Sequence, residues 1–277
     1  MKNKLMTEHS YIRYLLIFIT ILFISIFIFI PLISIFFQAF EKGFSYYFSS
    51  ILEPDSISAI KLTLITLSFV VPLNVLFGLI ASYAIARFDF FGKSFLITLI
   101  DIPFSVSPVI SGLLFVLLFG SDSIFYNFLS DHDIKIIFST PGIVLVTIFV
   151  TFPFVIRELL PVMQAIGKEE EEASLILGAG GWKTFFYVTF PNIKWALFYG
   201  TLWCSARAIG EFGAVSVVSG HIRGLTNTIP LHIEILYNEY NYVAAFAIAS
   251  LLALFSIFTL FIKEFTDRIS STQRDSL

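Results

Sequence analysis

Six stretches of this chain, roughly residues 14–37, 60–86, 94–119, 140–162, 195–219 and 242–263, are almost continuously apolar. Each matches the ~20 residues that an α-helix needs to cross the ~30 Å hydrocarbon core of a bilayer. A membrane strand would need only about 10 residues with alternating polarity, a pattern these runs lack. One water-soluble particle of 277 residues cannot bury six such runs. Composition agrees: 57% of the residues are hydrophobic and 13% charged, about half the charged share of a soluble domain. The polar surface left over is too small to coat a particle of this size, so the excess apolar surface must face lipid. The expected fold is all-α, one membrane domain over residues 1–277 with six transmembrane helices, no separate soluble domain and no internal repeat.

The first run, Tyr14 to Phe37, exceeds the 7–15 residues of a signal-peptide core and precedes no small-residue cleavage site, so it reads as a retained helix. Pro103, Pro108 and Pro153 fall inside the third and fourth runs, where neighbouring helices can satisfy the freed backbone groups. Orientation follows from the basic residues. With the N-terminus in the cytoplasm, Lys2, Lys4, Arg13, Arg87, Lys93, Arg157, Lys168, Lys183, Lys194, Lys263, Arg268 and Arg274 lie inside, 12 of the 17 Lys and Arg. Lys42, Lys61, Lys135 and Arg223 lie outside or at the outer boundary, and Arg207 falls within a span. Both termini are therefore expected in the cytoplasm. A net charge of −3 gives no footprint for nucleic acid. The single Cys204 excludes a disulfide framework and a thiolate metal site.

The cytoplasmic stretch 163–194 is too long for a turn and too polar for a seventh span. Glu169 to Glu172 favour the start of a helix, where the backbone dipole is positive. Gly178 to Gly181 break it, and an amphipathic stretch from Trp182 to Phe190 follows, with Pro191 expected to end it. The reading is a helix–turn–helix that offers Leu175, Ile176, Leu177 and Trp182. An interfacial hairpin lying on lipid is the competing reading, but four consecutive carboxylates would be repelled by an anionic surface.

The order Glu172-Ala173-Ser174, Gly178, Val188, Phe190, Pro191 resembles the cytoplasmic signature of ABC importer permeases, Glu-Ala-Ala-x3-Gly-x9-Ile-x-Leu-Pro. The spacing is intact, and Ser174, Val188 and Phe190 are conservative departures. The resemblance implies the type I ABC importer permease fold and makes residues 169–191 the segment that couples to an ATPase. No phosphate-binding loop stands in the chain: in Gly178-Ala179-Gly180-Gly181-Trp182-Lys183-Thr184, Trp182 occupies the position before Lys where that motif needs Gly. ATP therefore belongs to a partner, and the chain itself is expected to be no enzyme and to hold no cofactor.

The stretches from Arg207 to Tyr240 and from Asp101 to Gly120 resemble the W-type second membrane subunit of sulfate/thiosulfate importers. Molybdate and tungstate permeases share the Arg-Ala-x-Gly-Glu-Phe-Gly-Ala core and remain the alternative. The implied partners are a homologous second permease subunit, two copies of an ABC ATPase, a periplasmic or extracellular sulfate-binding protein, and membrane lipid. The implied location is a bacterial inner membrane or a plastid membrane. An ATP-independent channel or secondary transporter would not need the cytoplasmic signature, and a secondary transporter usually carries repeats.

Within the fifth run, Arg207 and Glu211 stand four residues apart, hence one above the other on the same helix face. Arg207 either offers positive potential to a crossing anion or is locked with Glu211 in a purely structural ion pair. Asp101 opens a run with two prolines and two serines, Pro103, Ser105, Ser107 and Pro108, which suggests a locally broken helix. It is expected to meet Arg207, line the path or cap a half-helix. The outer segment carries His221, Arg223, His232, Glu234 and Glu239. Its two histidines lack standard metal-ligand spacing, so contact with a binding protein or loop packing is expected there.

Overall fold

The computed structural model describes residues 10–274, with the backbone alone for Ser10 and 269–274. Lys2 and Lys4, used above for orientation, lie outside the described residues, as does the side chain of Arg274. Among the described residues the structure is helical with no strand. Helix α1 spans Tyr11–Ala39 and the short α2 spans Gly43–Ile51. Helix α3, Pro54–Arg87, begins with Pro54 and Asp55 in its first turn and ends on Arg87, an order that suits the helix dipole at both ends.

The expected span 94–119 is not one helix. It is α4, Lys93–Ser105, and α5, Pro108–Phe119, bent against each other by 109°. Pro108 is the cause: it forces Ser107 out of the helical region, to ψ 137°, and then serves as the first residue of the next helix. The expected span 195–219 is also divided. Helix α10, Phe190–Ile209, and α11, Gly213–Ser219, are separated by Gly210, Glu211 and Phe212. Among the described residues four helices are long and apolar enough to cross a membrane, α1, α3, α7 (Thr140–Ile166) and Tyr242–Arg268, or five if the bent α4–α5 pair is counted as one span. Helix α10 is not among them; Asn192, Lys194 and Arg207 dilute its apolar residues.

The remaining elements are α6, Tyr126–Asp131, α8, Glu169–Ile176, α9, Gly181–Thr184, α12, Ile229–Asn238, and α13, Tyr242–Arg274. Pro191 does not end the arm that begins at α9. A π-helical turn, Phe185–Thr189, carries α9 without interruption into α10, and Pro191 lies in the first turn of α10. The same device precedes Pro31 inside α1, where Ser25–Phe29 is π-helical. A proline clashes with the carbonyl four residues back and has no N–H to offer it. One wide turn relieves both conflicts without stopping the helix.

The centre of the fold is a crossing of α3, α7 and α10 on Val155. A Cβ added to Gly78 of α3 would fall 2.6 Å from Val155 Cγ1, and one added to Gly200 of α10 would fall 3.1 Å from Val155 Cα. Glycine is what lets the two backbones come so near. Around this point Val155, Leu159, Met163, Ile193, Ala196 and Cys204 form one buried cluster. Nearby, the fully buried Asn74 donates from Nδ2 to Thr151 Oγ1 at 2.7 Å and to Cys204 Sγ at 3.4 Å, so the same three helices also share a polar tie. A second cluster joins Leu62, Ile143, Val146, Val150, Ala214, Val215, Val218 and Leu231. Helix α1 stands apart: its most apolar stretch is wholly unburied, and it meets α13 through its Ile30–Ala39 half.

Gly78→Leu is expected to lower stability by about 1–3 kcal/mol through overpacking against Val155. Gly180→Ala, where an added Cβ meets open space, should leave it unchanged. Thermal unfolding of the purified protein in detergent distinguishes the two.

Candidate functional site

Helix α8 carries Glu169, Glu170, Glu171 and Glu172 in its first turn. It closes on Gly178, whose φ of +87° is costly for any residue with a Cβ. Gly178 N donates to Leu175 O at 3.0 Å and Ala179 N to Ser174 O at 3.1 Å, the paired bonds of a Schellman ending. The Ser174 and Thr184 hydroxyls, 3.1 Å apart, then hold the returning arm. The helix–turn–helix is thus present, and its apolar tip is uncovered: Leu175, Ile176, Leu177, Trp182 and Tyr187 are all exposed, Ile176 and Leu177 by 86% and 88%. Between the arms runs an open groove of about 510 Å³ whose lining includes Ala173, Ser174, Leu177, Val188, Pro191 and Asn192. Glu172 is exposed beside it, and Phe190 is 38% exposed at the start of α10.

Two of the four glutamates bond to the returning arm, and only Glu171 is turned inward. Glu170 accepts from Asn192 Nδ2 at 2.6 Å. Glu171 Oε1 accepts from Arg87 Nε at 3.0 Å, Arg87 NH2 at 2.8 Å and Thr189 Oγ1 at 2.7 Å. Arg87 NH1 donates onward to Met163 O at 2.9 Å. The Arg87 and Glu171 side chains are only 6% and 12% exposed. One ion pair therefore ties the hairpin to the last residue of α3, the last turn of α7 and the π turn that enters α10. Sequence reasoning missed it. Arg87 stood out only as a charge near a membrane edge, Glu171 only as one acid in a run, and nothing in their spacing links positions 84 residues apart.

Arg207 and Glu211 do meet, at 2.6 Å between NH1 and Oε2, but not along a continuous helix. Glu211 lies in the break after α10, its side chain 1% exposed, and Oε1 accepts from Ala214 N at 2.9 Å. It thereby caps α11 while neutralising Arg207, whose side chain is 30% exposed. Asp101 pairs with neither: its partner is Arg157 of α7, at 3.0 Å.

In the segment after α11, His221 and Glu234 approach to 3.9 Å and Arg223 pairs with Glu239. His232 points elsewhere, its Nε2 3.0 Å from the Ser56 hydroxyl. Among the described residues no group of three or more His, Cys, Asp or Glu could hold a metal ion. Burial lowers the His232 pKa from its ordinary 6.5, outweighing the opposing influence of Asp55, Glu53 and Glu239.

Residues 74–269 match the family described as binding-protein-dependent transport system inner membrane component. The chain is 50% identical over 251 residues to the sulfate transport system permease protein CysW of Escherichia coli (strain K12), covering 91% of this chain and 86% of that one. It is 34% identical over 247 residues to the sulfate transport system permease protein CysT of the same organism, covering 87% and 89%. Among solved structures it is similar to a chain of the bacterial alginate ABC transporter in complex with an alginate pentasaccharide-bound periplasmic protein. That match has a TM-score of 0.75 at 20% identity and covers 94% of this chain and 95% of that one.

Breaking the buried pair from one side should cost about 3 kcal/mol, and removing both charges should cost less. Glu171→Gln or Arg87→Gln is therefore expected to speed hydrogen exchange across residues 169–191 more than the double change Arg87→Met with Glu171→Met. The same order is expected for Arg207 and Glu211. His232 makes a separate prediction. Its native pKa lies below 6.5, so the unfolded chain binds the extra proton as the pH falls through 6.5. Stability contributed by the neutral ring is complete above that value and declines below it. His232→Gln should flatten this decline in unfolding midpoints measured from pH 8 to pH 5.

Proposed function

This chain belongs to the family of binding-protein-dependent transport system inner membrane components, and on that premise we propose that it is the membrane-spanning permease subunit of an ATP-driven importer of sulfate or thiosulfate. The observation that carries the reading is the hairpin α8–α9. Four of its motif residues, Ala173, Ser174, Val188 and Pro191, line a groove, and its apolar tip is left bare at the end of the molecule where α3 and α7 terminate. A free apolar tip of this kind marks a contact with protein or membrane, and the carboxylates Glu169 to Glu172 on the same helix disfavour an anionic lipid surface. An ATPase subunit with a complementary cleft would cover the tip, and Glu172, Ala173, Ser174, Gly178, Val188, Phe190 and Pro191 would then form the coupling surface within the loop 163–194.

In this reading the hairpin faces the cytoplasm and the chain is one membrane domain. The bent α4–α5 pair and the interrupted α10–α11 pair act as the third and fifth of six crossings, in a bacterial inner membrane or a plastid membrane. The similarity to both a CysW and a CysT permease supports pairing with a homologous second subunit. Two copies of the ATPase bind below and a sulfate-binding protein delivers the anion from outside. ATP is held by the ATPase; this chain catalyses nothing and needs no cofactor. Arg207 and Glu211 serve the membrane core as a compensated pair, and Glu211 as the cap of α11.

Radiolabelled sulfate uptake tests the proposal in cells lacking their own sulfate permease, complemented with this chain and its candidate partners. Uptake is expected with the wild type. It should fall at least about tenfold with Gly178→Asp, which forces a side chain into a left-handed turn, while the protein still reaches the membrane. Uptake that persists in the variant, or without any ATPase, overturns the reading. Entry of molybdate in place of sulfate keeps the permease and changes its anion.

A further inference from the structure

Between α4 and α7 runs a polar strip that the protein covers only in part. Arg157 donates to Asp101 Oδ1 from NH2 at 3.0 Å and from Nε at 3.2 Å. Its guanidinium lies over the Phe104 ring, 3.8 Å from the centroid. Even so, 54% of the Arg157 side chain and 46% of the Asp101 side chain are uncovered. Helix α7 has 27 residues, about 40 Å at 1.5 Å per residue, and Arg157 stands roughly 13 Å from its Ile166 end. A ~30 Å hydrocarbon layer centred on this helix encloses the pair. Ser105 and Ser107, both exposed, flank the point where the chain bends by 109° between α4 and α5. Backbone leaves the helix at bilayer depth only where protein or water covers it, and charges at that depth face the same two surroundings. The ion pair and the bend are independent observations, and both take this face out of lipid.

We propose that this face, with Asp101, Phe104, Ser105, Ser107 and Arg157, lines the aqueous route of the transported oxyanion, and that Arg157 is its binding contact. The inference rests on the reading of the chain as an anion permease. Arg157, counted from the sequence with the cytoplasmic basic residues, thereby joins Arg207 within the bilayer, and the two arginines differ in what they can release. Arg207 is held by a carboxylate that is buried and fixed by Ala214 N–H. Asp101 is half exposed, and among the described residues Arg157 is the one side chain that bonds its carboxylate. A tetrahedral dianion matches the guanidinium fork with two oxygens at once. It displaces Asp101, which remains hydrated in the same water-filled space, and the Ser105 and Ser107 hydroxyls donate to the oxygens left free. With the route empty, Asp101 keeps the arginine compensated.

Cys204, the only cysteine, is buried, so the wild-type chain is the blank for thiol labelling of Ser105→Cys and Ser107→Cys in the complete complex in liposomes. A charged thiosulfonate is expected to label both, and sulfate but not chloride should slow that labelling. Arg157→Gln should raise the sulfate concentration for half-maximal uptake roughly tenfold or more, with Arg157→Lys in between and ATPase co-purification retained by both. Labelling only by an uncharged maleimide would mean that the face meets lipid. No labelling, with cross-linking to the second permease subunit, would make it a closed interface. Charged labelling that ignores sulfate would place it off the route. Each of these three overturns the proposal, as does unchanged half-saturation in a well-assembled Arg157→Gln complex. Failure of the wild-type complex to import sulfate at all instead removes the premise.

Discussion

Hydrocarbon offers no hydrogen bond, so each polar group that this chain carries to bilayer depth must be met by another group of the protein or by water. That constraint organises the molecule. Glu211 survives with 1% of its side chain exposed because a guanidinium and a backbone N–H are both brought to it. Asn74 is buried with Thr151 and Cys204 accepting from its Nδ2, and these bonds join three helices where they cross. Proline is accommodated on the same terms. Pro31 and Pro191 each follow a π-helical turn, and Pro108 starts a new helix at the bend.

The two interrupted spans also support one another. A Cβ on Gly112 of α5 would fall 2.7 Å from Ala214 O of α11, and one on Gly213 would fall 3.0 Å from Pro108 Cβ. The start of one half-helix is thus laid against the start of the other. Each is too short to cross a membrane alone, and their close approach supplies contact that two uninterrupted helices would obtain along their length.

The hairpin is not a loosely attached loop. Glu171 binds it to Arg87 at the end of α3, and Arg87 reaches Met163 O at the end of α7. Thr189 brings in the entrance to α10. The helices gathered by this pair are the three that cross at Val155 and share Asn74. The exposed tip is therefore joined to the centre of the fold through buried hydrogen bonds and close glycine contacts.

The apolar runs by themselves determined that this is an all-helical membrane protein, since no other fold hides so much hydrocarbon-like surface. The glycine and glutamate spacing of residues 169–191 determined the hairpin, because a helix start and a left-handed turn are local events. Arg207 and Glu211 could be paired by counting four residues, although the count assumed a helix that in fact breaks at Gly210. Asp101 could not be assigned: three roles were conceivable, the one partner named among them was Arg207, and its actual partner is Arg157. Arg87 with Glu171, Asn74 with Thr151 and Cys204, and the crossing on Val155 were equally hidden. Each joins residues dozens of positions apart, and such contacts exist only once helices have chosen their neighbours. Sequence periodicity tells which surface a helix buries; only the tertiary structure decides against what, because packing and charge compensation are settled between segments and not within them.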